Sequence, residues 1–281
     1  METDTHEPTH APGRAGRNLP AAIGVGLSLG AVIIASVYSP YRWTFVVVLV
    51  AAAALGVNEI VRALRTLGAQ PPELPLVAGG TAMVVLAYRY GATALFLGLA
   101  LTVLGVLLWR LADPVQGVLR DVTAAVFTAA YVPFLVGFAA LLTVPPDGPR
   151  RITAFIATVV CSDVGGYAAG VLFGKHPMAP SVSPKKSWEG FAGSLVACAT
   201  AGAVFFWTLF DASPLLGVVY GLAVVGSATL GDLGESMVKR DIGIKDMGRL
   251  LPGHGGLMDR LDSLLPTAPI AWVLLSAFVP V

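Results

Sequence analysis

The chain of 281 residues is strongly apolar: 56% of its residues are hydrophobic and 12% are charged, with a net charge of +1 and a mean hydropathy of +0.76. A soluble domain carries roughly a quarter charged residues, so this composition excludes an ordinary soluble domain. Apolar runs recur along the whole chain, and a membrane-spanning helix needs about 20 such residues. We therefore expect an all-α polytopic integral membrane protein.

The first part of the chain differs from the rest because it is polar. Residues 1–18 are rich in Pro, Thr and His and are predicted to form a disordered cytoplasmic tail. Arg14 and Arg17 precede the first apolar run, as in a signal sequence. No small-x-small cleavage site closes that run, so we favour an uncleaved first span.

The apolar runs predict nine transmembrane helices. They cover residues 19–38, 42–58, 74–89, 91–109, 121–143, 152–173, 191–210, 214–231 and 264–280. We divide the chain into N-terminal transmembrane helices, 19–150, and a C-terminal region, 151–281. Only the C-terminal region carries long polar loops, which are predicted at 174–190 and 232–263.

The basic residues predict the orientation of these spans. With nine alternating spans, fourteen of the 18 Lys and Arg residues fall on the side of the N-terminus. Cytoplasmic loops are enriched in Lys and Arg. We therefore expect the N-terminus and both polar loops in the cytoplasm, and the C-terminus outside.

The segment GDLGESMVKR contains the first group of candidate functional residues. If it is helical, Asp232, Glu235, Ser236 and Lys239 lie on one face, because their spacing is i, i+3, i+4 and i+7. Such a face offers carboxylate ligands beside a cation. The alternative is a solvated helix end with a Glu235–Lys239 or Asp232–Ser236 pair.

The sequence PGHGG follows and predicts a turn. Pro252 and Gly253 break a helix, whereas Gly255 and Gly256 permit positive φ and close backbone approach. Free backbone N–H groups in such a turn bind anions. His254 is expected either to donate to a phosphate or to order the turn.

Two further carboxylates come directly before the last apolar run. Asp259 and Asp262 are spaced i, i+3, and paired carboxylates suit Mg²⁺, which prefers oxygen ligands. The alternative is a structural network with Arg260 that seats the loop.

Upstream, three positions are candidates for the same site. Asp163 lies inside a predicted span, and an intramembrane acid indicates function by default. Lys185 and Lys186, beside Ser187, either bind phosphate or only set the topology. Glu59 ends the second span, is expected to pair with Arg62, and has no assigned role.

Ser236 through Asp262 resembles the signature of the phosphatidate cytidylyltransferase (CDP-diacylglycerol synthase) family. The fixed positions that match are Ser236, Lys239, Arg240, Lys245, Asp246, Gly248, Leu251, Pro252, His254, Gly255, Gly256, Asp259, Arg260 and Asp262. The upstream segments 183–190 and 162–170 are similar to that family as well. The resemblance covers about 160–263 closely and makes 151–281 the catalytic region.

The resemblance implies a Mg²⁺-dependent reaction of CTP with phosphatidate that gives CDP-diacylglycerol and pyrophosphate, in phospholipid biosynthesis. It also implies a bacterial plasma (inner) membrane enzyme whose site faces the cytoplasm, acting as a homodimer, with no nucleic-acid partner. A second, monovalent cation is left open.

By resemblance, Asp232 and Asp259 are the expected metal ligands. Lys239, Arg240 and Lys245 are expected to act with them in catalysis. The expected phosphate- and substrate-binding residues are Lys185, Lys186, Ser187, Ser236, Asp246, His254, Gly255, Gly256, Arg260, Asp262 and Asp163.

Three other classes of protein compete with this hypothesis. An anion transporter would explain the basic residues but not the HGG turn, and no paired repeats are visible. A CTP-dependent polyprenol kinase would transfer the γ-phosphate, and a CDP-alcohol phosphotransferase would need the DG-x-x-AR motif, which this sequence lacks. The density of ionisable groups argues against a purely structural subunit.

Overall fold

The structure is a computed structural model, which describes residues 19–248 and 255–280. The described residues form helices throughout, apart from one short β-hairpin. The expected all-α membrane architecture is thus confirmed in its main feature. The hairpin, in the predicted loop 174–190, is an addition that the sequence analysis did not predict.

The N-terminal half consists of six helices: α1 (Leu19–Val37), α2 (Trp43–Thr66), α3 (Glu73–Tyr90), α4 (Ala92–Arg110), α5 (Val118–Tyr131) and α6 (Pro133–Leu142). The predicted span 121–143 is broken between α5 and α6. Pro133 begins α6, and a proline lacks the N–H that would continue a helix hydrogen-bond ladder. Helix α3 packs against α2, α4 and α6 and so lies inside this half.

The C-terminal half contains α7 (Gly148–Phe173), β1 (Pro177–Ala179), β2 (Ser183–Ser187), α8 (Trp188–Phe210), α9 (Pro214–Ile242), α10 (Met258–Leu261) and α11 (Leu264–Phe278). Helix α9 continues well beyond the predicted span end at residue 231. Residues 232–242, predicted as part of a loop, are therefore the last three turns of a helix. Gly243, with φ of 77°, then ends the helix in the left-handed conformation that glycine adopts without strain.

Seven helical segments of the described chain are long and apolar enough to cross a membrane. They are Trp43–Thr66, Ala92–Arg110, Val118–Leu142, Gly148–Phe173, Trp188–Phe210, Pro214–Ile242 and Met258–Phe278. The predicted spans 19–38 and 74–89 coincide with α1 and α3, which are not among these seven. The protein is thus a multi-helix membrane protein, and the count of nine spans stays a prediction.

Helices α7, α8 and α9 approach one another closely because glycines line their contacts. A Cβ atom placed on Gly165 would lie 2.6 Å from the Ala197 Cβ. A Cβ atom on Gly202 would overlap the carbonyl oxygen of Gly217. Small residues permit such close helix packing in membranes. These three closely packed helices therefore hold the polar residues of the site in position.

The two halves contact each other where α6 packs against α11 and α7, and the first turn of α7 is also tied to α11. The Arg151 side chain of α7 is 1% exposed. Its guanidinium donates to the carbonyl oxygens of Leu275 at 2.9 Å and Val279 at 2.5 Å, and to the Asp147 carboxylate at 2.8 Å. These bonds tie α7 to the C-terminal end of α11, where the last carbonyls of a helix lack the full set of partners found in its interior.

Candidate active site

A cleft of about 300 Å³ lies between α7, the hairpin, α8 and α9. Five of the residues predicted for the site line it, namely Asp163, Lys185, Lys186, Ser187 and Asp232. They come from three different elements, α7, β2 and α9, so the fold brings together residues that are up to 69 positions apart in the sequence. Tyr167 and Phe191 add aromatic surface to the same cleft.

An ion pair joins the hairpin to α9 across this cleft. The Lys186 Nζ lies 2.5 Å from the Asp232 Oδ2, and both side chains are partly exposed. The hydroxyl of Ser236 donates to the other carboxylate oxygen of Asp232 at 3.5 Å. Asp232 therefore faces the cleft with a cation beside it, which is the arrangement expected of a site that receives an anion and a metal.

The hairpin is held in place at both of its ends. At its base, the Glu189 carboxylate accepts the backbone N–H groups of Lys175 and His176, both at 3.2 Å, and lies 2.5 Å from the His176 Nδ1. At its turn, Arg240 donates from Nε to the carbonyl oxygen of Val182 at 3.3 Å. Arg240 thus contacts the hairpin from the end of α9.

Ser187 caps the N-terminus of helix α8 with its hydroxyl. It accepts the N–H of Gly190 at 3.1 Å, as an N-cap residue does. The predicted phosphate-binding serine therefore has a structural role while it also lines the cleft.

A second charged cluster lies beside the first and centres on Lys239. Its Nζ is 2.7 Å from Asp259 Oδ1 and 3.1 Å from Glu235 Oε1. The Glu235 side chain is fully buried, and its second oxygen has no hydrogen-bond partner. The predicted Glu235–Lys239 pair is therefore present, and it is extended to Asp259.

Backbone groups fix the orientation of Asp259. Its Oδ2 accepts the N–H of Met247 at 3.0 Å and that of Gly256 at 2.8 Å. The N–H of Gly256 is thus engaged within the protein and does not point to a free anion site. Gly255 has φ of +84°, as the glycine turn predicts.

The remaining predicted residues lie around these clusters. Lys245, Asp246 and Arg260 are exposed. Asp262 accepts the backbone N–H of Ser263 at 2.7 Å at the junction of α10 and α11. His254, together with Leu251 and Pro252 of the signature, lies outside the described residues.

The donor set around the cleft fits Mg²⁺ only with help from a substrate. Among the described residues, no group of three His, Cys, Asp or Glu side chains is placed to hold a metal ion. Mg²⁺ usually takes one or two carboxylates and completes its shell with water and substrate phosphates. Asp232 and Asp163, which share the cleft, satisfy that requirement, whereas Asp259 is not among the cleft-lining residues.

Glu59 makes contacts that its place in the sequence did not predict. Its carboxylate was expected to pair with Arg62, but it accepts the backbone N–H groups of Leu257 and Met258 instead. The sequence signal was an acid at the end of a span. Its partners lie 198 and 199 residues away, so no local pattern could identify them.

Several proteins similar to this chain carry the name of one activity. The sequence model described as "Cytidylyltransferase family" matches residues 20–278. A protein of Mycobacterium leprae named phosphatidate cytidylyltransferase is 49% identical over 280 residues, which cover 94% of this chain and 89% of the relative. A protein of the same name from Mycobacterium tuberculosis (strain H37Rv) is 47% identical, over 96% of this chain and 86% of its own. Arabidopsis thaliana phosphatidate cytidylyltransferase 5, chloroplastic, is 30% identical over 89% of this chain and 69% of its own.

Proposed function

The chain belongs to the cytidylyltransferase family, and we propose that it transfers the cytidylyl group of CTP to phosphatidate, giving CDP-diacylglycerol and pyrophosphate. The observation that carries this proposal is the cleft between apolar helices in which Lys185, Lys186, Asp163 and Asp232 converge. One substrate is a lipid and the other is a soluble polyanion. A cationic cleft beside membrane-spanning helices suits both.

The reaction needs little covalent chemistry from the protein. A phosphate oxygen of phosphatidate attacks the α-phosphorus of CTP, and the bond between that phosphorus and the bridging oxygen to the β-phosphate breaks. The electron pair leaves with pyrophosphate. Because phosphatidate is already an anion, no general base is obligatory, and the protein contributes by positioning and charge stabilisation.

The positions of two lysines support this role. Lys186 is mounted on the hairpin and Lys239 on α9, and each is already held by a carboxylate. We propose that Lys185 and Lys186 bind one phosphate from the hairpin side, while Lys239, Arg240, Lys245 and Arg260 neutralise the triphosphate and the leaving group. Preoriented charges are more effective than mobile ones, because they need no reorganisation during the reaction.

The proposed metal ligands are Asp232 and Asp259, with Mg²⁺ as the ion. When bound, the ion would polarise and neutralise substrate phosphate oxygens. Asp232 lines the cleft beside Lys186. Asp259 lies in the neighbouring cluster, where its Oδ1 is bonded to Lys239, so a metal at this oxygen would require Lys239 to turn toward a substrate.

The proposal also includes the setting of the enzyme. We place it in a bacterial plasma membrane with nine spans, a cytoplasmic N-terminus and an active site that faces the cytoplasm, as a homodimer. The distribution of the basic residues supports the orientation. The named mycobacterial relatives support a bacterial source of this activity.

A labelling experiment with the purified protein tests the reaction. The protein is incubated with phosphatidate, Mg²⁺ and CTP labelled separately at the α- and γ-phosphates. Label from the α position in a chloroform-soluble product, together with released pyrophosphate, is the expected result. Label from the γ position in lipid would indicate a kinase, and no labelled lipid from folded protein would overturn the proposal.

A further inference from the structure

Glu59 of α2 is the one acid of the N-terminal half whose carboxylate bonds to the backbone beside Asp259, among the described residues. Its side chain is 7% exposed. Its Oε1 accepts the N–H of Leu257 at 3.0 Å and its Oε2 accepts the N–H of Met258 at 2.9 Å. Both oxygens of a buried carboxylate therefore bind a segment that belongs to the other half of the protein.

Two glycines of the signature leave room for this carboxylate. A Cβ atom on Gly256 would lie 2.6 Å from the Glu59 Oε2, and one on Gly248 would lie 2.6 Å from the Glu59 Cδ. Real Cβ atoms do not approach other atoms so closely. A Cβ atom at either glycine would therefore force Glu59 to move, and one on Gly256 would also lie 2.7 Å from the backbone nitrogen of Gly248. The segment is thus packed closely around Glu59.

The contact continues directly to Asp259. Three consecutive backbone N–H groups, those of residues 256–258, all donate to carboxylates. The first donates to Asp259, and the next two donate to Glu59. Because the backbone has only two soft dihedrals per residue, the bonds of residues 257 and 258 to Glu59 restrict where the neighbouring Gly256 N–H can lie relative to Asp259.

The packing around this contact is rigid. Met258, which is fully buried, lies against Gly56 one turn before Glu59, where an added Cβ would be 3.0 Å from the Met258 sulfur. Leaving two buried N–H groups without an acceptor is costly. Residues 256–258 therefore have one favourable position against α2.

We propose that Glu59 is a positioning residue for the cytidylyl transfer, because it seats residues 256–258 and through them orients the Asp259 carboxylate. This inference rests on the proposed function and adds to it a role for the N-terminal half. Glu59 acts through Asp259 and touches no substrate. The chemical requirement is a carboxylate with two acceptor oxygens at this point of α2.

The test compares Glu59→Gln with the wild-type protein in detergent or nanodiscs. The amide keeps the shape of the side chain but turns one acceptor into a donor that faces an N–H. We expect kcat per folded molecule to fall by about 10- to 100-fold, as for partners that orient catalytic ligands, while the KM for CTP stays within about threefold because the cleft residues are unchanged. Glu59→Ala should lose at least as much.

Glu73→Gln is the matched control. Glu73 is also a partly buried acid of the N-terminal half, but it bonds to Asn58 and Arg65, away from the 256–258 segment. Its replacement should leave kcat within about twofold of wild type. A wild-type kcat in Glu59→Gln, or a loss that only follows the folded fraction, would overturn the inference.

Backbone hydrogen exchange gives a readout that does not depend on activity. In Glu59→Gln the amides of Leu257 and Met258 should exchange at least about tenfold faster, while those at the centre of α9 keep their rates. Unchanged exchange at these two amides would show that Glu59 does not hold this segment in position, and would overturn the inference. If the wild-type protein forms no labelled lipid, the proposed function fails, whereas the exchange result still decides whether Glu59 holds the segment.

Discussion

The Asp259 carboxylate accepts hydrogen bonds from three separate parts of the chain. One of its oxygens bonds to Lys239, and the other accepts two backbone N–H groups from Met247 and Gly256. A carboxylate with this many donors is well fixed, and the Lys239 ammonium lies beside its charge. The backbone bonds to Oδ2 thus hold the carboxylate in place, and an ion at Oδ1 would have to displace the Lys239 Nζ.

Asp259→Asn is expected to lower cytidylyl transfer by at least about 100-fold, because the amide cannot serve as an anionic ligand or balance Lys239. The protein should stay folded, since Lys239 keeps its bond to Glu235. The measurement is label transfer from α-labelled CTP per folded molecule.

Asp241→Asn is the control for this substitution. Asp241 is an exposed acid near the end of α9, and its replacement should change the activity by less than about twofold. Full activity of Asp259→Asn would remove Asp259 from the proposed metal site.

Residue types in the sequence predicted part of this arrangement. The spacing of Asp232, Glu235, Ser236 and Lys239 correctly indicated one helix face, because helix geometry depends only on local sequence. The bonds from Lys239 to Asp259 and from Glu59 to the segment before α10 could not be predicted in this way. They depend on how helices pack, which the order of residues within one helix does not specify.

At the scale of elements, the helices follow from hydropathy, whereas the hairpin does not. Long apolar runs must be helical in lipid, because each backbone group needs a partner within its own segment. The strand β2 contains Pro184 and two lysines, which are poor strand formers. Its pairing with β1 is held by contacts of Glu189 and Arg240, so local propensity gives no signal for it.

The close approach of α8 and α9 makes a prediction about stability. A Cβ atom on Gly202 of α8 would overlap the backbone of Gly217 on α9. Gly202→Ala should therefore push the helices apart and lower the free energy of unfolding by about 1–3 kcal/mol. Thermal unfolding of the purified protein would show this as a lower Tm.

Gly226→Ala serves as the matched substitution on the same pair of helices. A Cβ atom at Gly226 would meet nothing within 4 Å. Alanine is a better helix former than glycine by about 0.5–1 kcal/mol, so this variant should be as stable as wild type or more stable. A Gly202→Ala protein with an unchanged Tm would contradict the packing described above.

At the scale of the whole molecule, the polar chemistry is concentrated at one end of the helices. The hairpin, the end of α9 and the start of α10 lie at that end, while Arg151 ties α7 to the end of α11 elsewhere. Sequence alone indicated this asymmetry, because most of the basic residues fall in alternate loops. It could not show how the N-terminal half takes part, since that role depends on the contact of Glu59.

The orientation proposed for the molecule can be tested with single cysteines. The native Cys161 and Cys198 are first replaced by alanine, and Ser181→Cys in the hairpin turn or Ser213→Cys between α8 and α9 is then introduced. Both serines are exposed and lie at opposite ends of helix α8.

In intact cells a membrane-impermeant maleimide should label the cysteine at 213 and not the one at 181, because the positive-inside rule places the hairpin in the cytoplasm. After permeabilisation both should react. Labelling of position 181 from outside would reverse the orientation, and would place the cleft on the side of the membrane that has no supply of CTP.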